Sequence, residues 1–199
     1  MDRYENFQEL KNQEIECLDY RIRVREGQSG TVILAPHGGH IERGTSQIAE
    51  GIAGREHTFY AFEGLKPDLK RNRVLHITSN HFDEPIALRI VARAERVITI
   101  HGAWGKVPAI YFGGLDLELR ALLIESCRAR GFMATDDPSP TRQGKSPSNI
   151  CNRGRIGKGV QVEVTFGLRS GLYDRSSCDS KWVRNRIFDR VVECFRDVL

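Results

Sequence analysis

Two histidines in this sequence each follow a short apolar run and each precede glycine. His37 follows residues 31–36, TVILAP, and His101 follows residues 97–100, VITI. Such runs are typical of strands buried on both faces of a parallel sheet, and ligands bind at the carboxyl ends of these strands. Glu42 lies a few positions after His37. Two imidazoles and one carboxylate leave a position on Zn²⁺ open for water, so His37, Glu42 and His101 are predicted to form a catalytic zinc site.

A carboxylate within another strand is the predicted general base. In residues 160–166, VQVEVTF, the even positions are apolar, so Gln161, Glu163 and Thr165 face the opposite side. A carboxylate in the middle of a strand is costly to bury without a partner. Glu163 is therefore expected to line a polar cavity or to pair with an arginine. The alternative is a salt bridge on an exposed face of the sheet.

The other histidines have weaker patterns. His40 is a rival metal ligand, but the position at the end of a strand favours His37. His76 and His81 flank a short polar segment, where a supporting role at the site and a structural role are equally compatible with the sequence. His57 begins a strand, which favours a structural role.

Several arginines indicate a substrate that carries carboxylates. Arg43 follows Glu42 directly, the pair Asn152 and Arg153 follows a long loop, and Arg169 comes six residues after Glu163. Arginine is the natural bidentate partner of a carboxylate. We predict these four residues, Arg43, Asn152, Arg153 and Arg169, as substrate-binding; solvated charges are the alternative. Arg153 with Arg155 could also contact phosphate, but no helix-turn-helix or zinc-finger spacing accompanies them.

Composition and length limit the class of protein. The 199 residues are 40% hydrophobic and 28% charged, with a net charge of +4, which is ordinary for one globular domain. No apolar run approaches the roughly 20 residues of a membrane helix. The polar, acidic N-terminus predicts no signal peptide, so we expect synthesis in the cytoplasm, with release by lysis as a route to an extracellular substrate. The five cysteines form no C-x-x-C pair, which favours buried thiols.

Strand and helix patterns alternate through most of the chain. This alternation predicts an α/β fold with a largely parallel central sheet in a single domain over residues 1–199. Residues 1–16 are expected to be a helix or arm, and residues 136–149 a long loop near the site. The predicted strands cover 20–24, 31–35, 57–62, 74–78, 97–100, 108–112 and 160–166, and the predicted helices begin at 44–46, 85, 115 and 181.

Five motifs in order resemble the poly-γ-glutamate hydrolase family of phages and prophages, whose members have been labelled phage-related replication proteins. They are APHGGHIERGTSQIA, ITSNHFDEP, IHG, NICNRG and GVQVEVTFGLR, and they extend over residues 30–172. The resemblance implies a zinc-dependent hydrolase with a compact, three-layer version of the carboxypeptidase fold, a mixed sheet between helices. It matches His37, Glu42 and His101 to the zinc ligands and Glu163 to the base. His40 stands where glycine is common in the family.

The implied substrate is poly-γ-glutamate, an anionic polymer whose γ-glutamyl amide bonds would be cleaved. Equating Asn152-Arg153 with the substrate-binding Asn-Arg pair of carboxypeptidases is a further hypothesis. A second interpretation keeps the zinc site but makes the enzyme an amidase or deacylase of small N-acyl amino acids or peptidoglycan-like amides. A third, from another class, is a phage nucleic-acid-binding accessory protein without a metal. The nearly balanced charge argues against that third interpretation.

Overall fold

Seven strands form one mixed sheet, and two further strands pair separately, in the computed structural model, which describes residues 2–175 and 182–199. The strands are β1 (Tyr20–Arg25), β2 (Thr31–Gly39), β3 (Thr58–Gly64), β4 (Arg96–Ala103), β5 (Ile110–Gly114), β6 (Ala134–Asp136), β7 (Val160–Thr165), β8 (Tyr173–Arg175) and β9 (Trp182–Arg184). The α-helices are α1 (Phe7–Gln13), α2 (Thr45–Ala53), α3 (Pro85–Val91), α4 (Leu117–Ala129), α5 (Phe166–Ser170) and α6 (Arg186–Arg196), and 3-10 helices cover Leu69–Leu75, Pro140–Arg142 and Ile150–Asn152.

The strand order of the large sheet is β1-β3-β2-β4-β7-β5-β6. Strands β3, β2, β4 and β7 are parallel and form its centre. At the two sides, β1 pairs antiparallel with β3 and β5 pairs antiparallel with β7. The strands that carry the two predicted histidine ligands, β2 and β4, are therefore neighbours, and their carboxyl ends lie at the same edge.

Apolar side chains cover both faces of the sheet. On one face Ile48, Leu123 and Val191, from α2, α4 and α6, pack against the sheet in what we call the α2/α4/α6 core. On the other face Leu10 and Val91, from α1 and α3, contribute to the α1/α3 core. The sheet is thus the middle of three layers. The predicted fold class, a mixed and mainly parallel sheet between helices, is confirmed.

Local sequence explains most element boundaries. Helix α3 begins with Pro85, whose missing N–H costs nothing at a first turn, and the side chain of Glu84 accepts from the N–H groups of Ile86 and Ala87. Helix α2 ends at Gly54, which has a φ of 54° that other residues rarely adopt. The expected N-terminal arm contains α1. Because the side chains of Phe7 and Leu10 are buried, this arm is a docked helix and not a loose tail.

Two predicted elements are wrong. Residues 74–78 are not a strand: a 3-10 helix ends at Leu75 and irregular backbone follows. The C-terminal helix predicted from Lys181 begins only at Arg186, after β9; Lys181 itself lies outside the described residues. Within α4 and α6, Leu122 and Ile187 are exposed and do not contribute to the core.

Cys127, Cys151 and Cys194 are buried free thiols, as predicted, whereas the free thiol of Cys17 is exposed. Cys178 lies outside the described residues. No helix within residues 2–175 and 182–199 is both long and apolar enough to cross a membrane.

Candidate metal centre

A bulge in β2 determines where His37 points. Ala35 is in register with Ala61 of β3, but Gly38 is in register with Glu63, so β2 holds one extra residue between them. Pro36 lies in this gap, and a proline has no N–H to donate to a neighbouring strand. The strand was expected to stop at Pro36; instead it continues through the bulge to Gly39.

The extra residue changes the face of the sheet on which the following side chain lies. Ile33 and Ala35 belong to the α2/α4/α6 core, and regular alternation would place His37 beside them. The ring of His37 instead contacts Phe82, at 6.4 Å between ring centroids, and Phe82 belongs to the α1/α3 core. Bulges re-aim side chains in this way. The bulge therefore brings His37 to the side of the sheet opposite Ile33.

His101 and Glu163 reach that same side without a bulge. They are register partners on the adjacent parallel strands β4 and β7. Their neighbours Ile100 and Val162 belong to the α2/α4/α6 core, so the intervening positions face the other way. Three of the four predicted chemical groups thus project from one face, close to the carboxyl ends of parallel strands.

The ligand atoms of the predicted metal site converge. His37 Nδ1 lies 3.1 Å from His101 Nδ1. The carboxylate of Glu42 lies 3.4 Å from His37 Nδ1 and 3.8 Å from His101 Nδ1. Ligand atoms bound at about 2.1 Å to a tetrahedral metal are about 3.4 Å apart, so this spacing fits zinc.

The outer nitrogen of each imidazole has a partner that orients the ring. His37 Nε2 lies 2.8 Å from the carbonyl of Ile77, and because a carbonyl only accepts, Nε2 carries the proton. His101 Nε2 lies 3.3 Å from Ser79 Oγ. His37 therefore presents the lone pair of Nδ1 to the centre, and partners of this kind are typical behind metal-binding histidines.

Glu42 is held in place by the backbone. Its N–H donates to the carbonyl of His37 at 2.9 Å, and its carboxylate accepts from the N–H of Gly102 at 2.8 Å. A Cβ on Gly102 would lie 2.7 Å from Cζ of Arg169 and 3.0 Å from Cβ of Glu42. A side chain at position 102 would therefore displace the guanidinium of Arg169 or press on Glu42.

Charge is concentrated in this cluster. Burial is the largest influence and acts to raise the pKa of Glu42, but the attraction and hydrogen bond of His37, with His101 and the N–H of Gly102, together lower the pKa to about 2. Burial, with the charge of His37, lowers the pKa of His101 to about 3. The pKa of His37 is raised because the charge and hydrogen bond of Glu42 outweigh the effect of burial. A divalent metal requires an ionised carboxylate and neutral imidazoles, so metal binding would displace the proton that Glu42 favours on His37.

Glu163 is buried, so the alternative of an exposed salt bridge does not apply. Its Oε1 accepts a hydrogen bond of 3.1 Å from Nε2 of Gln161. Burial, and then the charge of Glu42, raise the pKa of Glu163 well above its usual value, while the charge of Arg142 opposes them. Glu163 is therefore a carboxyl group that binds a proton readily beside the histidine cluster.

The two remaining histidines of interest have different positions. Nδ1 of His40 faces the carbonyl of Lys66 at 3.4 Å, and His40 contributes no atom to the cluster described above. His76, whose role the sequence left open, stacks on the ring of His37 with 3.9 Å between centroids. One ring nitrogen of His76 lies within 4.8 Å of ligand atoms of His37 and Glu42, so His76 belongs to the site.

The predicted substrate arginines are distributed unevenly. Arg169 donates to the carbonyls of Val164, at 2.9 Å, and of Arg43 and Ala103. Its guanidinium lies beside Gly102, next to Glu42. Arg43 has an exposed side chain near that point. These two arginines are therefore next to the cluster.

The other predicted pair, Asn152 and Arg153, has its neighbours outside the cluster. Asn152 is buried, with Nδ2 donating to the carbonyls of Gly144 and Ser146 and Oδ1 accepting from the N–H groups of Leu115 and Gly159. Its polar atoms hold the long loop, which leaves the prediction of a substrate contact for Asn152 without geometric support. Arg153 lines a surface hollow of about 330 Å³ with Glu5, Asn6, Asn80, His81 and Asp83.

The long loop supplies an arginine that sequence reasoning missed. Arg142 donates from Nε and Nη2 to the buried carboxylate of Asp137, each at 3.0 Å. Nε2 of Gln161 donates both to the carbonyl of Arg142 and to Glu163. The only signal in the sequence was the predicted proximity of loop 136–149 to the site, which did not single out one residue.

Comparisons with known proteins show the family and the fold. A family model described as poly-gamma-glutamate hydrolase matches residues 4–194. YndL of Bacillus subtilis (strain 168) is 41% identical over 186 residues, 92% of this chain and 71% of YndL. The structure of a bacteriophage poly-gamma-glutamate hydrolase has a TM-score of 0.91 and 28% identity, covering 100% of this chain and 96% of that chain. Zinc-free apo YndL has a TM-score of 0.90 and 39% identity, covering 100% and 97%.

Proposed function

This chain belongs to the poly-gamma-glutamate hydrolase family, and we propose that it cleaves the γ-glutamyl amide bonds of poly-γ-glutamate at a zinc ion bound by His37, Glu42 and His101. The observation that carries the proposal is the convergence of two Nδ1 atoms and a carboxylate at 3.1 to 3.8 Å from one another. That YndL is described in a zinc-free form supports zinc as the ion.

The ion, when bound, would polarise the scissile carbonyl and make water more acidic. Glu163 then accepts the proton of the attacking water at a carboxylate oxygen and returns it to the leaving amine. The raised pKa of Glu163 suits both steps, because a base that binds protons weakly would not deliver one to the amine. Gln161 holds the carboxylate in position through the hydrogen bond to Oε1.

Binding of the substrate requires cations for its α-carboxylates. We assign this role to Arg43, Arg153 and Arg169, and we add Arg142, which the structure brings near Glu163 through Gln161. Asp137 fixes one edge of the Arg142 guanidinium and leaves Nη1 for a ligand. A rigid guanidinium loses little conformational freedom when it binds a carboxylate. The net charge of +4 is compatible with a polyanionic polymer.

The experiment compares metal content and polymer cleavage in the wild type and three histidine variants. We expect about one zinc ion per chain in the wild type, and loss of both zinc and cleavage in His37→Ala and His101→Ala. His40→Ala is the matched control and should keep both. A wild-type protein that binds no zinc, or a His101→Ala variant that keeps zinc and full activity, would contradict the proposal.

A further inference from the structure

Asp2, in the N-terminal arm, contacts the segment behind the candidate metal centre. One oxygen of Asp2 lies 2.7 Å from Nδ1 of His76, and the other accepts from the N–H of Thr78 at 2.6 Å. A carboxylate only accepts, so Nδ1 of His76 carries the proton that it shares with Asp2. Both carboxylate oxygens of Asp2 thus bond to residues 76–78, which lie far from Asp2 in the sequence.

This segment supports His37 in two ways. The ring of His76 stacks on the ring of His37 at 29° between planes, and the carbonyl of Ile77 receives the proton on His37 Nε2. The ring plane and the tautomer of His37 are therefore both set by residues 76 and 77. These contacts determine the direction of the Nδ1 lone pair toward Glu42.

Residues 76–78 have no strand of their own to hold them. They lie outside the sheet, between the 3-10 helix that ends at Leu75 and the start of α3. The N–H of Thr78, which a strand neighbour would otherwise satisfy, is bonded to Asp2. Asp2 therefore satisfies a backbone N–H of this irregular segment, as hydrogen bonds between strands satisfy the backbone of the sheet.

The arm that presents Asp2 is itself firmly docked. Phe7 and Leu10 are buried, and the N–H of Phe7 donates to Asp83 at 2.7 Å. Tyr4 donates to Glu14 at 2.7 Å, and Glu14 pairs with Lys66. A carboxylate on such a docked arm can hold another residue in a fixed position, which one on a free tail could not.

We propose that Asp2 and His76 are positioning residues of the metal centre, which fix the ring of His37 for metal binding, so that the N-terminal arm is a working part of the site. This inference rests on the proposed function only in that His37 is taken as a ligand. When residues that support metal ligands are removed, metal affinity or activity typically falls by roughly 10- to 100-fold.

The test measures zinc affinity by competition with a chromophoric chelator, and the visible absorption of the Co²⁺-substituted protein. Asp2→Ala and His76→Ala are expected to bind zinc about tenfold more weakly and to show altered Co²⁺ bands, because the ligand ring is no longer fixed. Glu5→Ala removes an exposed carboxylate from the same arm and should match the wild type in both measurements.

A second variant separates positioning from folding. Asp2→Asn has the same shape and keeps one acceptor, so the arm should stay docked while one of the two contacts is lost. We expect unchanged thermal stability of the metal-free protein, with weaker zinc binding and a shifted Co²⁺ spectrum. Wild-type affinity and spectrum in both Asp2 variants would overturn the inference alone. A wild-type chain that binds no zinc would overturn the proposed function instead.

Discussion

Two glutamates buried in the central sheet have opposite surroundings. Glu63 on β3 is 2% exposed, and Glu163 on β7 is 6% exposed. The carboxylate of Glu63 pairs with Nε of Arg21 at 2.6 Å and with Nη1 of Arg23 at 3.4 Å. Glu163 receives one neutral amide hydrogen bond, from Gln161, and lies near the charge of another carboxylate, Glu42.

The charged and hydrogen-bonding partners of a buried carboxylate, and not its burial, distinguish a structural carboxylate from one that can act in catalysis. Two guanidinium groups, from Arg21 and Arg23, pair with the carboxylate of Glu63 and so join β1 to β3. Glu163 lacks such compensation, so its pKa rises, and perturbed pKa values of this kind are typical of groups that act in catalysis. Alternation along a strand does not report which charged partners a carboxylate has, so the sequence alone cannot separate the two glutamates.

The largest expected effect comes from removing the charge of Glu163. Glu163→Gln should lower kcat for poly-γ-glutamate cleavage by about 10³-fold, because a general base contributes in this range. Zinc content should stay at the wild-type level, because Glu163 is not among the three ligands. The measurement is steady-state cleavage with metal analysis of the same sample. A variant with wild-type kcat would remove Glu163 from the mechanism.

The matched change at Glu63 should affect stability instead. Glu63→Gln replaces a charged acceptor by a neutral one, so the free energy of unfolding should fall by about 2 kcal/mol, the scale of a hydrogen bond to a charged group. The kcat of the folded fraction should be unchanged. Denaturant unfolding and kinetics on one preparation would check both. A large loss of kcat at full stability would mean that the two glutamates are not functionally different.

A smaller effect is expected in the pH dependence of stability of the metal-free protein. Because the folded-state pKa of Glu163 is raised, its contribution to stability is present below the pKa of the unfolded chain and is lost as pH rises through the folded pKa. Glu163→Gln cannot lose a proton there. The variant should become more stable relative to the wild type with rising pH, by on the order of 1 kcal/mol. If the free energies of unfolding of variant and wild type differed by the same amount at every pH between about 4 and 8, the raised pKa of Glu163 would be contradicted.

Much of the fold was predictable because periodic patterns reflect burial. The apolar runs before His37 and His101 predicted two central strands, and alternation in β7 correctly separated Glu163 from its apolar neighbours. Residues 74–78 were wrongly predicted as a strand because their pattern suits one. Their backbone groups bond to side chains instead, to His37 at Ile77 and to Asp2 at Thr78.

The site was predictable as a set of residue types and less so as a geometry. A bulge at Pro36 turns His37 to the other face, and neither alternation nor composition reports an inserted residue. Contacts between distant segments, such as Asp2 with His76, depend on how the arm docks. Arg142 was missed for the same reason, since its position depends on Asp137 and on the path of the long loop.

We propose that His37, Glu42 and His101 bind one metal ion on the face of the sheet that carries Glu163. Anomalous X-ray diffraction at the zinc edge, from crystals of the zinc-loaded protein, tests it most directly. We predict a single strong peak about 2.1 Å from Nδ1 of His37, Nδ1 of His101 and a carboxylate oxygen of Glu42. A peak coordinated by His40 or by the cysteines, or no peak at this cluster, would contradict the account.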